Sequence, residues 1–144
     1  MIWYPSLDDV YRFHNIQIFL YGGSTGVRDE GLVESALLTP QQTFAGQDLY
    51  ATISDKAAAL WHGFVCNHAF VDGNKRIGLM VTSVFLIANG YEMDFDDDEV
   101  EDITMKLAQS DMSRQQLIDT MSDHVRLRWG HSSGASKEVD DFLL

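Results

Sequence analysis

The sequence predicts a single compact all-α domain that contains at most a short β-hairpin. Its 144 residues suit one domain of common size. Hydrophobic residues make up 45 % and charged residues 22 % of the chain, proportions from which a soluble domain can build a core. Apolar residues recur at helical spacing in most segments between turn signals, and no repeat or linker divides the chain.

The first two predicted helices are marked by their polar ends. Ser6 and Asp9 have the spacing of a capping box, so we expect a helix over residues 7–21 that the glycines of "YGGSTG" end. A shorter helix is expected over residues 30–38. Pro40 prevents its continuation and favours an extended conformation at the residue before it.

The segment "PQQTFAGQDLYAT" has neither a helical period nor a clean strand period. It is therefore predicted to be a loop that holds at most a short hairpin. Its aromatic residues Phe44 and Tyr50 have two interpretations: they contact a partner, or they anchor a surface connection to the core.

Two strong helices follow. Over residues 53–67, apolar side chains fall at helical spacing, namely Ile53, Ala57, Leu60, Trp61, Phe64 and Val65. The stretch "NKRIGLMVTSVFLIANG" begins a second helix near Asn74, with Asn89 and Gly90 as its C-terminal signal. Since this helix is apolar almost all round, we expect it at the centre of the domain.

The C-terminal third predicts a short extended segment and two more helices. "YEMDF" is expected to be extended, and the acidic "DDDEVEDITMKLAQSD" suits a helix start. A last amphipathic helix is expected from Met112 to about Leu127. We predict that the globular domain spans residues 1–129 and that residues 130–144 form a flexible polar and acidic tail. That tail is either disordered or a docking peptide that binds through its last three residues.

The charge and cysteine content narrow the classes of function. A net charge of −12 repels phosphate backbones, so direct nucleic-acid binding is not expected. The same charge suits a basic partner, or solubility alone. Cys66 is the single cysteine, which excludes an intramolecular disulfide and fits a reducing compartment. The N-terminus lacks the pattern of a secretory signal, and the longest apolar run is too short for a bilayer span. We therefore expect a cytoplasmic protein with no membrane contact.

The segment between the two strong helices, "NHAFVDGNKR", concentrates groups that bind phosphate. The first turn of a helix carries unsatisfied N–H groups and the positive end of the helix dipole. Gly73 allows a steep turn just before Asn74, and Lys75 and Arg76 add two cations to a chain with 10 basic and 22 acidic residues. This combination predicts an anion site for phosphate groups.

Two further side chains extend the chemistry of this segment. Asp72 is a candidate Mg²⁺ ligand, because a carboxylate beside bound phosphates needs a cation between them. Its alternative role is an N-cap of the helix. His68 is a candidate general base for a hydroxyl group, and its alternative role is a structural hydrogen bond. Phe70 is expected to anchor the loop in the core, and the sequence lacks both the Walker and the protein-kinase motifs.

At these residues the chain resembles the Fic/Doc superfamily. Its motif H-x-F-x-[D/E]-x-N-x-R is matched at all fixed positions, by His68, Phe70, Asp72, Asn74 and Arg76. The segments "GGSTGVRDEGLVESAL", "DLYATISDKAAAL" and "FLIANGY" are similar to the death-on-curing (Doc) branch, so that the resemblance covers about residues 5 to 125. It implies a Fic-type helical fold for the catalytic domain.

Two positions separate this chain from the AMP-transferring members of the superfamily. Those members usually continue as G-N-G-R-x-x-R, whereas this chain has Lys75 and Leu79 at the last glycine and the second arginine. Both departures resemble Doc. The resemblance implies a protein kinase that moves the γ-phosphate of ATP to a threonine or serine hydroxyl of a translation factor, elongation factor Tu, and so blocks translation. The alternatives are a Fic-type transfer of AMP and a catalytically silent binding module.

By position, the resemblance also implies roles for the site residues. His68 would be the general base and Asp72 the Mg²⁺ ligand, while Gly73 and Asn74 would form the anion cradle. Lys75 and Arg76 would bind phosphates and stabilise the transition state, so that ATP and Mg²⁺ are the implied cofactors. The inhibitory motif [S/T]-x-x-x-E-[G/N] of self-inhibited members has no match in this chain. A separate antitoxin is therefore the implied partner.

Overall fold

The computed structural model describes residues 1–128 of the chain. This part contains α1 Leu7–Tyr21, α2 Glu30–Leu38, α3 Ile53–Cys66, α4 Asn74–Ala88, α5 Asp97–Ala108 and α6 Arg114–Met121. Its short strands are β1 Thr43–Phe44, β2 Gln47–Asp48, β3 Tyr91–Met93 and β4 Val125–Leu127. The predicted all-α fold class is confirmed, and the predicted tail over residues 130–144 lies outside the described residues.

Helices α3 and α4 form the centre of the fold. They make the most extensive contact between any two elements, and α1, α2, α5 and α6 pack around them. Leu60, Trp61 and Val65 of α3 and Ile77, Val81 and Phe85 of α4 are fully buried. The segment that joins the two helices, residues 67–73, therefore starts and ends on rigid, buried elements. Such support is what a precise chemical site requires.

The ends of the helices follow the local signals of the sequence. Ser6 and Asp9 form the predicted capping box of α1. At the other end of α4, Asn89 donates to the Phe85 carbonyl at 2.7 Å and exchanges two hydrogen bonds with the backbone of Trp3. Gly90 follows with a φ of 86°. Local capping thus accounts for where these helices begin and end.

The loop after α2 contains the predicted hairpin, in which Thr43 pairs with Asp48 and Phe44 with Gln47. Phe44 is 75 % exposed and does not anchor the loop. Tyr50 is half-buried, and its hydroxyl accepts a hydrogen bond from Arg114 Nη1 at 3.0 Å. Of the two aromatic residues, Tyr50 thus has the anchoring role.

The prediction of an extended residue before Pro40 was wrong. Thr39 has helical torsion angles of −51° and −49° and begins a 3-10 turn over Thr39–Gln41. Its hydroxyl donates to the Ser35 carbonyl at 2.7 Å, and its own carbonyl accepts from Gln42 N at 3.2 Å. These bonds and the burial of Pro40 offset the steric preference against a helical residue before proline.

The predicted last helix was too long. Helix α6 ends at Met121, and Val125–Leu127 instead form a strand that pairs antiparallel with Tyr91–Met93. The helical period of residues 125–127 is a local signal. It could not show that the backbone of β3 needs a hydrogen-bonding partner, because β3 lies more than 30 residues away along the chain. This second strand pair is an addition to the single hairpin that the sequence predicted.

No helix within residues 1–128 combines the length and the apolar character needed to cross a membrane.

Candidate active site

A strap, which we define as residues 22–29, lies along the segment that joins α3 to α4. Val27 and Phe70 form an antiparallel bridge. Val71 N donates to the Gly26 carbonyl at 3.1 Å, and the backbone N–H groups of Arg28 and Asp29 donate to the Ala69 carbonyl at 2.8 and 3.0 Å. The strap and the motif segment therefore form one hydrogen-bonded unit, although about 40 residues separate them in the chain.

The motif segment is also held from inside. The side-chain amide of Asn74 accepts from Phe70 N and donates to Phe70 O, both at 3.0 Å. Phe70 is 2 % exposed, and its ring stacks on His14 with a centroid distance of 4.0 Å. The Nε2 atom of the buried His14 lies 2.8 Å from the carbonyl oxygen of Asp72, to which it donates because a carbonyl only accepts. These contacts fix the backbone on both sides of Val71.

Helix α4 begins without a side-chain cap. Its N-cap residue is Gly73, in the left-handed conformation with a φ of 78°, which glycine adopts at little cost. Within residues 1–128, each of the other five α-helices begins with a Ser, Thr or Asp side chain that accepts a backbone N–H. The first-turn N–H groups of α4 thus lack the internal acceptor that those helices have, and they are suited to an anion from outside.

The residues that the motif singled out lie around one open pocket of about 330 Å³. Its polar lining consists of His68, Asp72, Gly73, Asn74, Lys75 and Arg76, and its apolar lining of Val65, Val71 and Ala108. Phe70 is buried beneath the pocket and does not line it. Six predicted site residues that are spread over nine positions of sequence are therefore brought to a common surface.

The carboxylate of Asp72 is exposed and is oriented by backbone donors. Ser24 N donates to its Oδ2 at 3.2 Å and Gly73 N to its Oδ1 at 2.8 Å. These bonds, first that from Ser24 and then that from Gly73, lower the pKa of Asp72 below its ordinary value, and the charge of Arg76 acts in the same direction. A Cβ on Gly23 would lie 2.6 Å from Oδ2, which is too close for a real contact. Only glycine at this position therefore allows the strap to approach the carboxylate so closely.

An ionised carboxylate beside an uncapped helix start fits a Mg²⁺ ion that also binds phosphate oxygens. Among residues 1–128, no group of three or more His, Cys, Asp or Glu side chains could hold a metal ion. Asp72 is the acidic residue of the pocket lining, and Mg²⁺ sites that include phosphate oxygens use one or two carboxylates.

The two cations of α4 differ in their surroundings. Lys75 is exposed at the mouth of the pocket. Arg76 is half-buried; its Nη2 donates to the Gly22 carbonyl at 3.0 Å, and its guanidinium lies 6.0 Å from the centre of the Tyr21 ring. The strap thus holds Arg76 beside the pocket through a neutral carbonyl, so the positive charge of the guanidinium is not neutralised by this bond.

His68 is exposed on the pocket surface, and its backbone has a φ of 49°. A positive φ is uncommon for residues other than glycine, although histidine adopts it more readily than most, and it persists where the surroundings stabilise it. The carbonyl of His68 accepts a 2.6 Å hydrogen bond from Arg28 Nε, so a charged side chain stabilises the turn.

Sequence reasoning missed three parts of this site: His14, Arg28, and the Gly23–Ser24 pair of the strap. His14 lies on the buried face of α1, where a histidine among apolar residues was a usable signal. The glycines of "YGGSTG" were interpreted as a helix end and as part of the family resemblance, whereas the structure shows that Gly23 is also needed for the close approach to Asp72. Arg28 carries no local signal, because its partners lie 39 and 40 residues away.

Cys66 and His62 lie outside the pocket of the motif residues. The thiol of Cys66 donates to the Leu107 carbonyl at 3.4 Å, and burial raises its pKa. Burial, with the charge of Arg114, lowers the pKa of His62. The raised pKa keeps the Cys66 thiol protonated, which suits packing rather than nucleophilic chemistry. A neutral His62 could ligate a metal, but no group of three or more His, Cys, Asp or Glu side chains within residues 1–128 could hold one.

The chain is similar to known proteins over most of its length. A model of the Fic/DOC family matches residues 4–86, more than half of the chain. The chain is 44 % identical over 93 residues to a protein named Toxin Doc from Mycolicibacterium smegmatis, an alignment that covers 63 % of this chain and 72 % of that protein. It is 28 % identical over 116 residues to a protein named Protein kinase doc from Escherichia phage P1, which covers 81 % of this chain and 90 % of that protein. The chain therefore belongs to the Fic/DOC family, and to the Doc branch within it.

Proposed function

We propose that this protein is a Doc-like toxin that transfers the γ-phosphate of ATP to a threonine or serine hydroxyl of a translation factor. Elongation factor Tu is the substrate that the family resemblance suggests. The transfer would inhibit translation in the cytoplasm. The relative from phage P1, which the chain matches over most of its length, carries the name of a protein kinase, and this supports the choice of reaction.

The observation that carries the proposal is the uncapped start of α4. The uncapped first-turn N–H groups, Lys75 and Arg76 offer positive potential to phosphates, whereas the other α-helices within residues 1–128 carry a side-chain cap at this point. Asp72 and the exposed His68 line the same pocket. A phosphate grip, an anionic metal ligand and a base on one surface are the parts that phosphoryl transfer needs.

The reaction follows from these parts. The substrate hydroxyl oxygen attacks the γ-phosphorus, a P–O bond forms, and the bond between that phosphorus and the β,γ-bridging oxygen breaks to release ADP. Nε2 or Nδ1 of a neutral His68 accepts the hydroxyl proton. Lys75, Arg76 and the amides of the α4 start stabilise the negative charge of the transferring group.

Asp72 would hold Mg²⁺, which when bound would screen the negative charges of the phosphates. The carboxylate of Asp72 is ionised at neutral pH, as a metal ligand requires, and its lowered pKa keeps it ionised in more acidic conditions. Ser24 and Gly73 orient that carboxylate before any metal binds, because both donors belong to the backbone.

Lys75 and Leu79 favour transfer of phosphate over transfer of AMP. In AMP-transferring relatives, the position of Leu79 is an arginine that would bind the terminal phosphates of ATP. Leu79 is half-buried and packs against the hydrophobic core, so it offers no phosphate contact. Without that second arginine, the basic residues that line the pocket within residues 1–128 are Lys75 and Arg76 at the start of α4, which supports binding with the γ-phosphate at the attacking end.

The test is to incubate the protein with Mg²⁺, elongation factor Tu and ATP that is labelled at either the α- or the γ-phosphate. Label that comes from the γ position alone supports the kinase. Label from the α position would instead support AMP transfer, and the absence of label from both would support a silent binding module. The same assay in a whole-cell extract would reveal a different protein substrate.

Variants of the site provide the controls. His68→Ala removes the base and is expected to lower the rate by about 10² to 10⁴. Arg12→Met, an exposed arginine of α1 outside the pocket, is the matched control and should retain wild-type activity. Near wild-type activity of His68→Ala would refute the role of His68 as base.

We also propose a separate antitoxin as the partner that blocks this site. Purification of the tagged protein together with the products of its neighbouring genes should recover a small protein that suppresses label transfer. Recovery of the tagged protein alone, with full activity, would argue against such a partner.

A further inference from the structure

We propose that Arg28 is a positioning residue that holds His68 in its active orientation. The proposal rests on the role of His68 in the proposed function. The guanidinium of Arg28 donates from Nε to the His68 carbonyl at 2.6 Å and from Nη2 to the Asn67 carbonyl at 3.1 Å. Two consecutive carbonyls are thus bound by one planar group.

The backbone at this point explains why such a clamp is useful. Asn67 is the C-cap of α3 and is still helical, with a φ of −74°, whereas His68 has a φ of 49°. The change from a right-handed to a left-handed residue ends the helix and turns the next carbonyl to the same side. A histidine in this conformation persists only when its surroundings stabilise it.

Electrostatics favour an arginine at this position. The C-terminal end of α3 presents the negative end of its dipole, and its last turn contains no basic residue. Arg28 supplies the missing cation from the strap, a different element. Its hydrogen bonds are charge-assisted, and their carbonyl acceptors belong to the backbone that carries the His68 side chain.

The main chain of Arg28 is fixed independently of its side chain. Its N–H donates to the Ala69 carbonyl at 2.8 Å. Two residues earlier in the strap, the Gly26 carbonyl accepts a hydrogen bond from Val71 N. Arg28 therefore holds residue 69 by its backbone and residues 67 and 68 by its guanidinium. The His68 backbone lies between these attachments, so the strap restrains it on both sides.

Arg28 does not line the pocket that contains the phosphate-binding residues. Removal of the Arg28 side chain should therefore misplace His68 without lowering the affinity for ATP. A misplacement of about 1 Å near a reacting group lowers rates by up to about a hundredfold. A change in kcat with an unchanged KM for MgATP is the kinetic signature that distinguishes positioning from binding.

The experiment compares Arg28→Met, Arg28→Lys and Arg12→Met in the label-transfer assay. Arg28→Met keeps the length of the side chain and removes its donors. We expect kcat to fall by about tenfold to a hundredfold, with KM for MgATP within about twofold of wild type. Arg28→Lys, which keeps one charged donor, should recover part of the loss, and Arg12→Met should be unchanged.

Two NMR measurements make the test independent of catalysis. In Arg28→Met, the His68 ring signals should shift and broaden, while the Val71 amide stays protected from hydrogen exchange because the strap is still paired. A wild-type kcat or unchanged His68 signals in Arg28→Met would overturn the proposal. So would simultaneous loss of Val71 protection, because Arg28 would then be needed for the strap itself. If wild-type protein transfers no label, the proposed function fails, and the NMR result still decides whether Arg28 positions His68.

Discussion

Helices α3 and α4 both begin with backbone N–H groups that have no acceptor inside the helix, and the two helix starts treat these groups in opposite ways. Helix α3 begins with Thr52, whose hydroxyl accepts from Asp55 N at 3.0 Å, and Asp55 adds a negative charge to the first turn. Helix α4 begins with the uncapped Gly73, and its first turn contains Lys75 and Arg76 and no acidic residue. Both helices pack against each other in the core, so their surroundings do not explain the difference.

The difference in capping is a difference in local stability. A side-chain cap and an acidic first turn each stabilise a helix, and α3 has both. Cations at the positive end of a helix dipole are unfavourable by themselves and become favourable only when an anion binds. The start of α4 is therefore suited to the phosphate ligand of the proposed function, and its position is maintained by Asn74, His14 and the strap instead of by a cap.

The largest expected effect is the stabilisation by MgATP. A ligand that binds only the folded state, at about 100 times its dissociation constant, raises the free energy of unfolding by about 2.7 kcal/mol. Thermal unfolding of the wild-type protein with and without MgATP measures this difference. The stabilisation should persist in Thr52→Ala, because α3 does not contribute its first turn to the pocket. No stabilisation of wild type at millimolar MgATP would contradict the comparison.

Charge reversal at α4 should separate stability from binding. Lys75→Glu places a favourable negative charge in the first turn and should raise the free energy of unfolding by about 0.3–1 kcal/mol. It also repels phosphate, so affinity for MgATP should fall by about tenfold or more. Isothermal titration and chemical denaturation measure the two quantities. The mirror variant Asp55→Lys should destabilise the protein and leave MgATP affinity unchanged; equal effects of both variants on affinity would refute the distinction.

Removal of the α3 cap should cost only stability. Thr52→Ala leaves the Asp55 N–H without its acceptor and should lower the free energy of unfolding by about 1 kcal/mol. Denaturant unfolding measures the loss, and γ-label transfer should stay at the wild-type rate. A large loss of transfer would mean that α3 contributes to the site through its start as well.

The smallest expected effect concerns pH and the far end of α3. Burial, followed by the charge of Arg114, lowers the pKa of His62 below its ordinary value of 6.5. As the pH falls below that value, His62 becomes protonated in the unfolded chain while it stays neutral in the folded protein. The free energy of unfolding therefore decreases. His62→Gln should make this decrease shallower. A steeper decrease in the variant would show that His62 is not the group responsible.

The sequence predicted those parts of the fold that depend on local interactions. The bounds of α1 and α2 agree with the predicted helices because caps, glycines and Pro40 act within a few residues. The sequence predicted an extended segment at Tyr91–Met93 but not its pairing with Val125–Leu127, because residues 125–127 continue a helical period and their strand partner lies far away along the chain. The motif likewise showed which residues line the pocket but not what holds them in place.

By itself, the sequence determined the helical class, the central apolar α4 and the residue types at positions 68–76 on which the proposed chemistry rests, because period and residue type are properties of adjacent positions. Only the tertiary structure decided how that chemistry is arranged. His14, Ser24 and Arg28 contact the motif segment across 58, 48 and 40 residues of chain. Contacts over such separations arise when the packed core brings α1 and the strap against the α3–α4 connection, and no local pattern encodes that approach.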